Sequence, residues 1–124
     1  MIELSALKET FFKEVLEKMA GECVNAIKEK FEAIQRCITI ISESDKDKKR
    51  IENGLDHTDR MFPGKSDKEG AIRMSFAMMQ AIDNKIEEVQ KCMSEHEQAI
   101  PDIMQTYADR IEKLHQVLFP QEGK

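Results

Sequence analysis

Three groups of residues in this chain have types and spacings that could do chemistry. Gly64-Lys65-Ser66 copies the end of a phosphate-binding loop, where glycine-rich backbone amides cradle phosphates and the Lys and Ser reach the anion and its metal. Such a loop also needs a glycine five residues before Gly64, and that position is Asp59. Glu112 and His115 have the three-residue spacing used by di-iron helical bundles, but those sites need a second such pair and two further inward carboxylates. The other two histidines are scattered: His57 lies between Asp56 and Asp59, and His96 between Glu95 and Glu97. No metal site and no cofactor are therefore expected. No nucleophile motif of the G-x-S-x-G type is present, so no catalytic residues are assigned and no enzymatic activity is expected.

Cys23, Cys37 and Cys92 are odd in number and none belongs to a C-x-x-C pair. That argues against a disulfide framework and for a reducing, cytoplasmic setting, with the thiols packed on or beside apolar faces. Methionine is enriched, with eight in 124 residues. Its unbranched, polarisable side chain repacks against varied apolar shapes. Met74 and Met78, with Ala71, form an apolar edge beside a main stripe that carries Phe76. Met74, Phe76 and Met78 are therefore the candidate partner-binding residues; the alternative is ordinary core filling.

The elements that must position these residues are helical. From Ile72 a stripe runs Phe76, Met79, Ile82, Ile86, Val89, Met93, His96, Ile100, Met104, Tyr107, Ile111, Leu114, Leu118. Its mean step is about 3.5 residues, between a coiled-coil seam and a straight helix. His96 alone is polar, either setting register and pH response or turning to water at a rim. The first half carries Phe12, Leu16, Met19, Cys23, Ile27, Phe31, Ile34, Ile38 and Ile41, with a mean step of about 3.6. Ser5 is a plausible N-cap, and Gly21 implies a close helix approach or a mild bend.

Ser42 to Arg50 is wholly polar, then Ile51, Leu55 and Phe62 resume apolar spacing. Four helices are expected within one domain, residues 1–124: about 4–42, a short polar one about 46–61 that could continue the first, about 66–99, and about 101–119. Asn53-Gly54 and Pro63-Gly64 signal turns. Ser66 and Glu69 form a capping box at the start of the third helix. Pro101 predicts a kink or restart, and Pro120 an end. Charged pairs four apart mark solvated faces: Glu9–Lys13, Glu14–Lys18, Glu32–Arg36, Glu69–Arg73, Glu87–Lys91 and Asp109–Lys113.

The fold expected is all-α: an antiparallel helical bundle built on a long, coiled-coil-like hairpin. Charged residues at 35%, aromatics at 6% and no Trp suit helices better than sheets. The stripe widens after residue 98 through Ala99, Ile103, Ala108 and Val117. One hairpin cannot cover two such stripes, so either the chain folds back into three or four helices or two chains dimerise. A net charge of −5 disfavours nucleic acid as a partner. No apolar run is long enough for membrane insertion.

The function expected is a non-enzymatic protein–protein interaction module. It would be a small cytoplasmic chaperone, adaptor or assembly subunit that binds another protein, a second copy of itself included, through apolar helix faces. A second class is an acidic inhibitor that blocks a basic surface of a nucleic-acid-handling or other target protein. A third is an enzyme or metal carrier using Glu112 and His115.

Overall fold

The structure is a computed structural model that describes residues 3–55 and 64–121, with Lys65 and Ser66 described by backbone alone. Two helices make up almost all of it: α1, Leu4–Leu55, and α2, Lys65–Leu118. They pack against each other as an all-α helical hairpin, and no strand occurs among the described residues. No described helix is long and apolar enough to cross a membrane.

The expected division into four helices is not what forms. α1 passes through the polar stretch 42–50 without interruption and continues to Leu55. The reason lies in two residues of that stretch that face inward. Ser44 is buried and Lys48 is half-buried, so an inner line of Ile41, Ser44, Lys48, Ile51 and Leu55 keeps helical spacing. Lys48 lays its aliphatic stem along the partner helix and carries its ammonium outward to Asp83. Lys48 Nζ donates to Asp83 Oδ1 at 2.8 Å, and this bond holds the Lys48 ammonium above its ordinary pKa. Residues 56–61 of the expected short helix lie outside the described residues, as do His57, Phe62 and Pro63.

α2 likewise runs through Pro101 without a restart. Proline supplies no N–H to the carbonyl of Glu97, yet both residues are on the exposed side, where water can take that carbonyl. Both N-termini differ from expectation by a residue or two. The Leu7 amide donates to the Glu3 carbonyl at 3.1 Å and the Lys68 amide to the Gly64 carbonyl at 3.0 Å. Glu3 and Gly64 therefore occupy the capping positions, and Ser5 and Ser66 fall inside the first turns. Asp67 in the first turn of α2 complements the helix dipole.

Contacts group the residues into two units. Unit 1 joins the chain before Ala33 to the chain after Glu95; unit 2 comprises Ala33–Glu95. In unit 1 the inner line of α1 is Phe12, Leu16, Met19, Cys23, Ala26 and Lys30, in alternating steps of four and three. It meets His96, Ile100, Ile103, Tyr107, Ile111, Leu114 and Leu118 of α2. In unit 2 the inner line of α1 is Ala33, Cys37, Ile41 and Ser44 before Lys48. Its opening steps of four, four and three make an eleven-residue repeat. Opposite lie Ile72, Ser75, Met79, Ile82, Ile86, Val89 and Met93.

Among the described residues the buried ones are Ala33, Cys37, Ser44 and Met79, all in unit 2, and three of them are small. Small side chains at the contact let two helix backbones approach closely and pack without large knobs. No described side chain is completely buried, and no buried side-chain nitrogen or oxygen among the described residues lacks a partner. Ion pairs among the described residues include Lys48–Asp83 between helices, with Asp45–Lys49 and Asp47–Arg50 along α1. The six pairs four apart expected from sequence are not closed. That accords with the small energy of exposed ion pairs on helix surfaces.

Candidate functional site

In unit 2 the first turns of α2 expose an apolar flank. Met74 is 68% and Met78 50% exposed, four residues apart and therefore on one side of the helix. Their inward neighbours are Ser75 and Met79, which sit on the contact line with α1. Met79 is buried because it steps from Ser75 onto that line, leaving its neighbour Met78 one position, about 100°, to the side. Ala71, half-buried, and Ala81, exposed, continue the same flank in steps of three. The result is a shallow strip of thioethers and methyl groups with no charge on the strip itself.

Phe76 does not support this strip. Sequence spacing places it on the contact line, but it is 58% exposed, and Ser75 takes the inward position. Two residues along a helix is a turn of about 200°, so Phe76 leaves the opposite flank from Met74 and Met78. The contact line follows Ile72, Ser75, Met79 because steps of three and four keep it facing α1. The larger apolar residue beside Ser75 drew the sequence pattern one position away. The same displacement occurs at Met104, where Ile103 is the inward residue, and at Phe31 and Ile38, beside the inward Lys30 and Cys37.

Glu112 and His115, the pair with metal-site spacing, lie near the end of α2 in unit 1. The His115 ring packs edge-on to Phe12 at 5.5 Å between centroids and lies 5.2 Å from Phe119; Phe12 and Phe119 are 6.1 Å apart. These separations are those of aromatic packing, and the imidazole is the middle member of the cluster that joins the two helices there. No group of three or more His, Cys, Asp or Glu able to hold a metal ion occurs among the described residues. His96 is half-buried on the contact line, between Met93 and Ile100.

Of the thiols, Cys37 is buried, Cys23 half-buried and Cys92 exposed, and none is in a disulfide. Burial first, and then the Cys92 thiol facing it from α2, push the Cys37 thiol above its ordinary pKa.

Unit 1 exposes a second apolar surface, of which sequence reasoning placed Phe31 and Met104 in the main stripes and did not single out Val24. Val24 is 62%, Phe31 58% and Met104 56% exposed. A signal for it was present in the sequence: Ala20, Val24, Ile27 and Phe31 repeat in steps of four and three, one position after the true contact line. Arg110 lies over the Tyr107 ring, 5.2 Å from its centroid, near the C-terminal end of this surface.

Comparison with family models, with curated proteins and with solved structures produced no match.

Proposed function

We propose that this chain is a non-enzymatic protein-binding module, of chaperone, adaptor or assembly-subunit type, acting in a reducing cytoplasm on another protein. The observation that supports it most is the Met74–Met78 strip, an uncharged apolar flank left open at the start of α2. A helix flank of this kind accepts the apolar face of a partner helix, and methionines adapt to more than one such face. Three cysteines outside any disulfide accord with the reducing setting.

The test uses a photoreactive residue at Ala81, three positions from Met78 and exposed. Proteins crosslinked in the native cell should be lost when Met74 and Met78 are both replaced by Ser. Melting of that variant should stay within about 1 kcal/mol of the parent, as surface substitutions usually do. Unchanged crosslinking in the double variant would remove Met74 and Met78 from the site, and a loss of several kcal/mol would make them core. Capture that collapses steeply with salt and survives the double substitution would instead support the acidic-inhibitor class.

A further inference from the structure

We propose that Cys37 and Cys92 are a modification site, forming a reversible disulfide across the hairpin by exchange with a low-molecular-weight disulfide such as oxidised glutathione. This is independent of the Met74–Met78 strip and of any protein partner.

Helix register brings the two thiols together. Both belong to unit 2, where Lys48 and Asp83 pin α1 against α2 at 2.8 Å. Cys37 stands eleven residues before Lys48 on α1, and Cys92 nine residues after Asp83 on the antiparallel α2. Measured from that pin, their levels differ by about 3 Å, little more than half a helical turn. Rotation about the helices agrees. Cys37 lies on the contact line and is 7% exposed. Cys92 is three residues after Val89 and four before His96, both half-buried on the facing line. It therefore stands at the rim of that face, with one side to α1 and the other to water. The Cys37 thiol donates to the Cys92 sulfur, so the contact is made between the reacting atoms themselves.

A disulfide between helices also needs a close backbone approach, with Cα atoms about 4.4–6.8 Å apart. Large side chains on the contact line would prevent it. Here the line on α1 is small on both sides of Cys37, with Ala33 one turn before and Ser44 two turns after, all three buried. Cys23 cannot stand in for Cys37, because it lies fourteen residues, about four turns, earlier on α1.

Exposure decides which thiol reacts first. Cys92 is exposed, whereas burial first, and then the Cys92 thiol, hold the Cys37 thiol above its ordinary pKa. Cys92 loses its proton to water and attacks one sulfur of the small disulfide. A Cys92–glutathione bond forms, and one glutathione thiolate leaves. Cys37 then attacks the Cys92 sulfur; the second glutathione leaves and takes up the Cys37 proton. Two protein thiols are oxidised and one small disulfide is reduced to two thiols, so no other oxidant is needed. Excess reduced glutathione runs both steps backwards. The bond ties α1 to α2 where the fold already holds them together, so fold and bond favour each other.

The test holds the dilute full chain in glutathione buffers of stepped redox ratio, traps it with acid and N-ethylmaleimide, and maps it by mass spectrometry. Trypsin cuts after Arg36 and Lys91, so the two cysteines open separate peptides. Those peptides should be found joined, in a single chain two hydrogens lighter than the reduced one. The Cys37→Ala chain should stop with one glutathione on Cys92. The equilibrium constant for closing the bond should be at least about tenfold higher in the folded parent than in urea. A parent that keeps glutathione on Cys92, a bond between two chains, or a bond to Cys23 overturns the proposal. So does a constant no higher in the folded parent than in urea, a reading that stands even where Cys37→Ala fails to fold.

Discussion

Cys37 and Lys48 show how single residues on the contact line reconcile polarity with burial. Lys48 solves it by length, reaching Asp83 at the edge. Cys37 solves it by staying protonated, since burial and the facing Cys92 thiol both disfavour the thiolate. The thiolate is the reactive form, so Cys37 should be the slowest of the three cysteines to react with iodoacetamide at pH 8, as mass spectrometry of the modified chain would show. The sign for stability follows from the same shift. The unfolded chain ionises this thiol first as pH rises, so its contribution is complete below the ordinary thiol pKa, about 8.5, and is lost as pH climbs through the raised folded value. Equal alkylation of Cys37 and Cys92 would mean that Cys37 is not on the contact line.

At the scale of the elements, both helices carry interior glycines. Gly21 and Gly70 would each meet nothing within 4 Å if given a Cβ, so the close helix approach expected at Gly21 does not occur within the hairpin. Gly21→Ala and Gly70→Ala should each stabilise the protein by about 0.5–1 kcal/mol, read as a rise in melting temperature. A fall at Gly21 would mean that something packs against that turn in solution. The two helices themselves and most inward residues were legible in the sequence, because a stripe at 3.5 to 3.6 residues per turn has few other solutions; the turn read at Asn53-Gly54 was not one, since both residues lie inside α1. The exact line was not. Phe31, Ile38, Phe76 and Met104 looked inward because each is a large apolar residue beside Lys30, Cys37, Ser75 or Ile103. Where two adjacent lines are both apolar, periodicity locates a face but not its centre. The polar run 42–50 misled for the opposite reason, since a lysine stem and a serine can fill positions that hydropathy alone would reject.

For the molecule as a whole, the breadth of the apolar stripe after residue 98 was expected to bring three or more helices together, and the described residues supply two. Breadth reports how many neighbours a helix needs, without saying which chain they come from. The Met74–Met78 strip was legible as off-line methionines; the Val24–Met104 face was not, because Phe31 and Met104 were absorbed into the main stripes and Val24 was left without neighbours. The hairpin topology has a further consequence, for the order in which the molecule forms. Lys48 and Asp83 are separated by 35 residues of chain, whereas Phe12 and His115 are separated by about 103. Closing the longer loop first would cost about 1 kcal/mol more in chain entropy, so pairing should begin in unit 2 and zip outward to the aromatic cluster. Ile82→Ala should then chiefly slow folding, and Phe12→Ala chiefly speed unfolding, in stopped-flow kinetics. The reverse pattern would place the nucleus at the aromatic end. Until that zipper has run its length, Phe12 lacks its ring contacts with His115 and Phe119, and the ends of the hairpin are the last part of the chain to gain protection and the first to lose it.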